Sequence, residues 1–409
     1  MKISSCLLGL IGLGWLIYCL FQPIFDQFFG WDTLPREVFT QKFEGVEETG
    51  FEKEIEASKR LIDSIQAASS APSISVAAMI NGKMVWTYAV GFQNIARQIA
   101  ADTSTQYRIG STSKALTSLG LGKMIEVGEI HPDSSIQYYT HAFMDKPNIS
   151  IRQLASHQSG LRNYDVCLCF PIWEYYRNKQ FGSIAESVAD FESDELLFAP
   201  GDEFAYSSFN FSALSLAMDN VSINGYLDYM TEHVFKTLGM NQTLPDQQNV
   251  ELKDRSIPYE VYENMYREAA EVNLSNKWAG GGFLSTPSDL VRAGNVLLNS
   301  TFLGPETIDL LTSPQRLNND SINVQNYAMG WRHNYSKRYF DGEQAIEIIH
   351  HGGMAMGGQA LLVVYPAYDL TLALTLNKGE AEGNFQLFDY ITPIGEVFIS
   401  KLNSHDSIL

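Results

Sequence analysis

From Ile3 to Phe25 the chain runs through twenty-three positions without a single Asp, Glu, Lys or Arg. A helix rises ~1.5 Å per residue, so about 20 apolar residues cross the hydrocarbon core of a bilayer. Trp15 and Tyr18 lie within the run, and Gln22-Pro23 marks its far end. Lys2 and the amino terminus are the only positive groups before it, which favours a cytoplasmic N-terminus. A cleaved signal peptide is the alternative. Against it, no Ala-x-Ala-like site follows, and the stretch is longer than a usual signal core. The expectation is therefore an uncleaved membrane anchor or signal over residues 1–30, with the remainder exported as a periplasmic or extracellular catalytic body.

The chain carries 28 Lys and Arg against 47 Asp and Glu, a net charge of −19. Such a surface repels phosphate backbones, so nucleic acid is excluded as a partner. With 45% hydrophobic residues the chain has ample material for a packed core. Four cysteines cannot staple a scaffold of this size, and Cys167 and Cys169 are too close for an ordinary unstrained bridge. There is no Cys-x-x-Cys and no His-Glu-x-x-His, so no metal ligand set is visible and no cofactor is expected.

Residues 31–54 read as a link. After them Ile55, Leu61, Ile62 and Ile65 take helical spacing. Ser73–Val90 reads as a hairpin around Asn81-Gly82, a strong type I′ turn signal. Ser111–Val127 is helical. The centre, about 130–325, is rich in helix and loop signals and includes a helix start at Thr286-Pro287-Ser288-Asp289. Short apolar strands return at Ala328–Tyr335, Ala345–His350, Gln359–Tyr365 and Leu370–Asn377, and a last helix spans about Asn384–Leu402. Strands at both ends and helices between them predict an α+β fold over residues 55–402: one antiparallel sheet flanked by helices, with an all-helical subdomain.

Three short sites carry possible chemistry. Ser111-Thr112-Ser113-Lys114 opens a helix, and residues at i and i+3 project from one face. A serine hydroxyl becomes a nucleophile when a neighbour takes its proton, and burial at a helix start makes a lysine a suitable acceptor. Read alone, the same four residues are an N-cap serine and a solvated lysine. Tyr206-Ser207-Ser208 follows a Pro-Gly turn; its tyrosine is either an acid/base or an ordinary core phenol. His350-His351-Gly352-Gly353-Met354 precedes a strand, where glycines let a substrate lie against the backbone and a histidine binds a carboxylate or relays a proton. Its bland reading is a turn.

Together these sites resemble the serine β-lactamase and penicillin-binding-protein superfamily, whose Ser-x-x-Lys, Tyr-x-Asn and Lys/His-x-Gly motifs occur in this order. Ile149–Leu161, Phe235–Met240 and Trp278–Leu290 extend the resemblance to about residues 55–400. The Trp278–Thr286 stretch and the Tyr206 site look closest to the superfamily's mitochondrial serine β-lactamase-like branch and its bacterial relatives. The resemblance implies that Ser111 is the acylated nucleophile, Lys114 its proton acceptor and Tyr206 the acid/base partner. It implies Ser208 and His351 as substrate-binding groups, and the backbone N–H groups of Ser111 and Met354, beside Gly353, as the oxyanion hole. His350-His351-Gly352 also fits His-x-Gly, but the register on His351 puts Gly353 and Gly357 where relatives have glycine.

Two departures bear on substrate. Ser208 replaces the usual Asn, and His351 is a weaker cation than lysine. A small acyl or peptide substrate, cleaved as a peptide, amide or ester through an acyl-serine, is the reading this favours. β-Lactamase or D,D-carboxypeptidase activity, or a non-catalytic scaffold on the same fold, are the alternatives. Oligomeric state is not legible. His157 is expected to be a structural hydrogen-bonder, and Gly280-Gly281-Gly282 is no phosphate loop, since no Lys-Ser/Thr follows.

Overall fold

The computed structural model describes residues 2–26, 28–46, 50–167, 169–248, 250–299, 301–379 and 387–406. Its frame is an antiparallel sheet built from both ends of the chain. The strands are β1 (Lys42–Val46), β2 (Ser73–Ile80), β3 (Lys83–Asn94), β4 (Arg332–Ser336), β5 (Ile346–Ala355), β6 (Gly358–Tyr365) and β7 (Leu370–Leu376). They lie in the order β4-β5-β6-β7-β2-β3-β1, with Ile99–Ala100 paired beside β3. The N- and C-terminal halves meet where β7 pairs with β2, Leu374 opposite Val76.

Alternation along these strands divides the core. Leu361, Val363 and Tyr365 of β6 face one side with Ile74 and Val76, against helices α2 (Glu52–Ser69) and α6 (Leu387–Asp406). Ala360, Leu362 and Val364 face the other side, toward α3 (Ser113–Glu126), α4 (Ser208–Val221) and α5 (Pro287–Asn295). Because both faces are covered, the inner strands are apolar at nearly every position and do not alternate in polarity. The α+β architecture is thus present as expected. The middle region also holds small sheets, including a hairpin of Tyr259–Tyr262 and Met265–Glu268.

Local signals acted as their chemistry predicts. Asn81 and Gly82 both take positive φ, 50° and 71°, as a type I′ turn requires. The Thr286 side chain caps α5 by accepting the Asp289 N–H, with Pro287 in the first turn.

Differences concern edges. Lys42–Val46, inside the expected link, is instead the outer strand of the sheet, its register fixed by pairing Lys42 with Val90. The strand expected from Ala328 starts only at Arg332, because the Ala328 N–H bonds to the Trp331 carbonyl and closes a turn at Gly330, φ +93°. Cys167 and Cys169, too close in sequence for an ordinary unstrained bridge, are joined by a disulfide with Cα atoms 5.2 Å apart. Asn384–Gln386, the expected start of the last helix, lies outside the described residues.

The apolar N-terminal run forms helix α1 (Lys2–Asp26), with Leu8–Asp26 long and apolar enough to cross a membrane and with Leu10, Ile11 and Trp15 exposed. Its far end meets the body: the Ile172 N–H bonds to the Leu20 carbonyl, and Phe21 packs edge-on against Trp173.

Candidate active site

Ser111 sits in a single 3-10 turn, Gly110–Thr112, that runs directly into α3. Strand β5 crosses this turn so closely that side chains are excluded on both sides. A Cβ at Gly353 would lie 1.9 Å from the Ile109 carbonyl oxygen and 2.8 Å from the Ser111 nitrogen. Gly110 takes φ +48°, and a Cβ there would meet the Met354 backbone at 2.3 Å. The Thr112 hydroxyl completes the clamp by donating to the His351 carbonyl at 3.3 Å. The backbones of Ser111 and Met354 are thereby held side by side.

Lys114, one turn into α3, is fully buried. Its Nζ lies 3.1 Å from Ser111 Oγ, 3.3 Å from Ser208 Oγ and 2.6 Å from the Gly280 carbonyl oxygen, and contacts the faces of Tyr206 and Phe211. Among the described residues no carboxylate pairs with it. Burial, assisted by Arg332, holds its pKa below the ordinary lysine value, against the opposing pull of Tyr206. Tyr206 precedes α4, with Lys114 Nζ 4.9 Å from its ring centre. Burial alone would raise the phenol, yet the cations Lys114 and Arg332, with the Ser111 hydroxyl nearby, bring its pKa below the usual tyrosine value. The amine and phenol are therefore both poised to exchange a proton with the serine.

The remaining site residues fall differently. Ser208 turns its hydroxyl to Lys114, and its N–H donates to Asn163 Oδ1 at 3.0 Å. His351 shares the face of β5 that looks toward Tyr206, but it is fully buried: Nδ1 bonds to the Gly352 carbonyl at 2.8 Å, so Nε2 accepts the Tyr327 hydroxyl at 2.9 Å. Burial, with Arg332 and Lys114 nearby, drives its pKa well below the ordinary histidine value, and it is neutral. His350 lies edge-on to Phe388 of α6 at the edge of the same cleft, its pKa lowered to about 3 by burial and by Arg332 and His333.

The cation expected at His351 is instead Arg332, a residue that no motif marks. A cleft of about 340 Å³ is lined by Ser111, Tyr206, Arg332, His350, Gly353 and Met354 among others. The Arg332 guanidinium lies 5.3 Å from the Tyr206 ring centre and 5.0 Å from that of Tyr327, held by Gln325 Oε1 at 2.7 Å. The available signal is pairing: the sequence predicts a strand before His350, and Arg332 is the residue directly opposite His350 in it. His157 behaves as a structural group, accepting the Ser207 N–H and packing with its ring tilted against Tyr206, centroids 4.2 Å apart.

The Beta-lactamase family model matches residues 59–392, so the chain belongs to the beta-lactamase family. It is 28% identical to the mouse (Mus musculus) serine beta-lactamase-like protein LACTB, mitochondrial, over 406 residues, covering 78% of this chain and 73% of that protein. Among solved structures, the penicillin-binding protein of Bacillus halodurans superposes with a TM-score of 0.67 at 19% identity, covering 82% of this chain and 98% of that one. The D-amino acid amidase of Ochrobactrum anthropi SV3 gives 0.68 at 18% identity, covering 86% and 99%. These two likenesses establish the fold.

Proposed function

We propose that the protein is a serine hydrolase that cleaves small acyl substrates through a covalent acyl-serine. The observation that carries this reading is the contact of Ser111 Oγ with a buried lysine amine that has no carboxylate partner among the described residues. A neutral amine has two N–H donors and one lone pair. Directed at Gly280 O and Ser208 Oγ, the donors leave the lone pair for the Ser111 proton. Ser111 then attacks the carbonyl carbon, its proton passes to the Lys114–Tyr206 pair, and the same proton leaves with the departing amine or alcohol. The N–H groups of Ser111 and Met354 hold the oxyanion. Water, losing its proton to the same pair, releases the acid and restores Ser111.

In this reading Ser208 fixes Lys114, and His351 with Tyr327 braces the strand behind Tyr206. Arg332 supplies the permanent positive charge facing the cleft and receives an anionic or strongly polar end of the substrate. Residues 55–402 form the hydrolase domain, and residues 1–30 anchor it in a membrane with the body on the side away from the amino terminus; Lys2 before the apolar run supports that orientation. Residues 31–54 connect the two and contribute the edge strand.

Labelling with a fluorophosphonate probe tests the assignment. The wild type should label and Ser111→Ala should not. A correctly folded wild type that stays unlabelled, and that turns over no nitrocefin, p-nitrophenyl ester, D-Ala-D-Ala peptide or chromogenic peptide, would leave a non-catalytic protein on this fold.

A further inference from the structure

A second cavity, about 350 Å³, shares Met354 with the cleft. Trp31, Tyr175, Tyr176, Tyr262, Met265 and Met356 supply its apolar walls. Among the described residues its one charged lining group, Glu260, is neutralised by Arg267, whose Nε donates to Glu260 Oε2 at 2.8 Å. Tyr262 and Met265 stand 56% and 41% exposed at the rim, although folding gains little from large apolar groups there. Three methionines, 265, 354 and 356, make the lining soft and adaptable. The outer wall arrives from the apolar helix: Asp32 and Thr33 pair with Tyr266 and Met265, and the Arg267 guanidinium lies 4.9 Å from the Trp31 ring centre.

We propose that this cavity holds the hydrocarbon arm of the substrate attacked at Ser111, so that the substrate is an amphiphile with its polar end toward Arg332. The inference rests on the reading of Ser111 as nucleophile. A carbonyl bound at the Met354 N–H stands between the two spaces, because Met354 is the residue they have in common. The cavity's volume lies in the range of small-molecule sites, and aromatic and methionine side chains make up most of the lining. Each methylene taken from water is worth about fourfold in affinity until the cavity is full.

The full-length chain in mild detergent is assayed with p-nitrophenyl acetate, butyrate and octanoate below their micellar concentrations. The octanoate kcat/KM should exceed that of acetate by about thirtyfold or more. Met265→Asp and Trp31→Ala should lower the octanoate value about tenfold or more while leaving acetate within about twofold. Independently of turnover, 8-bromooctanoate should quench Trp31 fluorescence saturably in Ser111→Ala, and the quenching should vanish in Trp31→Phe and weaken in Met265→Asp. Acetate turnover without a chain-length gain or saturable quenching would overturn the cavity assignment and leave the hydrolase standing. Saturable quenching in a chain that neither labels nor hydrolyses any ester would support the cavity and sink the hydrolase. Absence of both quenching and a chain-length gain overturns the proposal.

Discussion

The side-chain nitrogen of Lys114 is closer to the carbonyl oxygen of Gly280, at 2.6 Å, than to the hydroxyl of Ser111, at 3.1 Å. That carbonyl belongs to the short helix Trp278–Gly281, which packs on α3 and holds the amine from behind. The lysine is thus aimed by backbone and made a proton acceptor by burial.

Replacing that lysine separates chemistry from stability. Lys114→Met should cut ester turnover by about 10²–10⁴-fold, the usual contribution of a positioned base. It should not lower the melting temperature, since an unpaired buried amine is exchanged for an apolar chain of similar length. Lys114→Arg should be equally inactive, because a guanidinium keeps its proton. Steady-state kinetics and thermal melts on the same samples check both statements.

Activity should rise with pH. The base works only after the Lys114–Tyr206 pair has lost a proton, and both groups have pKa values below their ordinary ones. The acid limb of kcat/KM should therefore reach its plateau well below the lysine value of 10.5. Tyr206 raises the Lys114 pKa, so in Tyr206→Phe the residual activity should have its limb at lower pH. A limb that moves upward would contradict this electrostatic picture.

Gly353→Ala should abolish activity and destabilise the protein by about 2 kcal/mol or more, because overpacking forces backbone apart. The added methyl would meet the Ile109 carbonyl at 1.9 Å, and the strand and the serine turn would have to separate. Loss of labelling at Ser111 together with a lowered melting temperature is the expected result.

Lys277 is a second buried lysine, between the rings of Tyr164 and Tyr175, and burial brings its pKa down to about 7. Between about pH 7 and 10.5 the unfolded chain holds a proton that the folded chain lacks, so this group makes stability rise with pH. The slope is about 1.4 kcal/mol per pH unit, and below pH 7 the destabilisation is complete. Lys277→Met should therefore raise the melting temperature more at pH 6 than at pH 9.

Arg332→Gln should raise KM for carboxylate-bearing esters about tenfold or more and leave KM for neutral esters nearly unchanged, as expected for a charge-assisted contact. The acid limb should move to higher pH with both substrate sets, because Arg332 lowers the pKa of Lys114 and Tyr206. Equal effects on KM in both substrate sets would place the arginine in a purely structural role beside Tyr206 and Tyr327.

Much of the site was legible because its parts are local. Ser111 and Lys114 are three residues apart at one helix start, and their contact follows from helical geometry. The Asn81-Gly82 turn and the Thr286 cap are likewise short-range chemistry. What escaped was long-range. Arg332 enters the cleft through pairing opposite His350, and Gly280 reaches Lys114 across 166 positions of sequence.

The amino-acid sequence by itself determined the apolar first helix, the α+β order of elements and the spacing of Ser111, Lys114 and Tyr206, because periodicity and motif spacing act within a few residues. Tertiary structure alone decided that His351 is neutral and Ser208 turned to the lysine, that Arg332 is the cation of the cleft, and that Trp31 walls a cavity beside Met354. Burial and partners fix charge and access, and those are properties of neighbours brought together by folding.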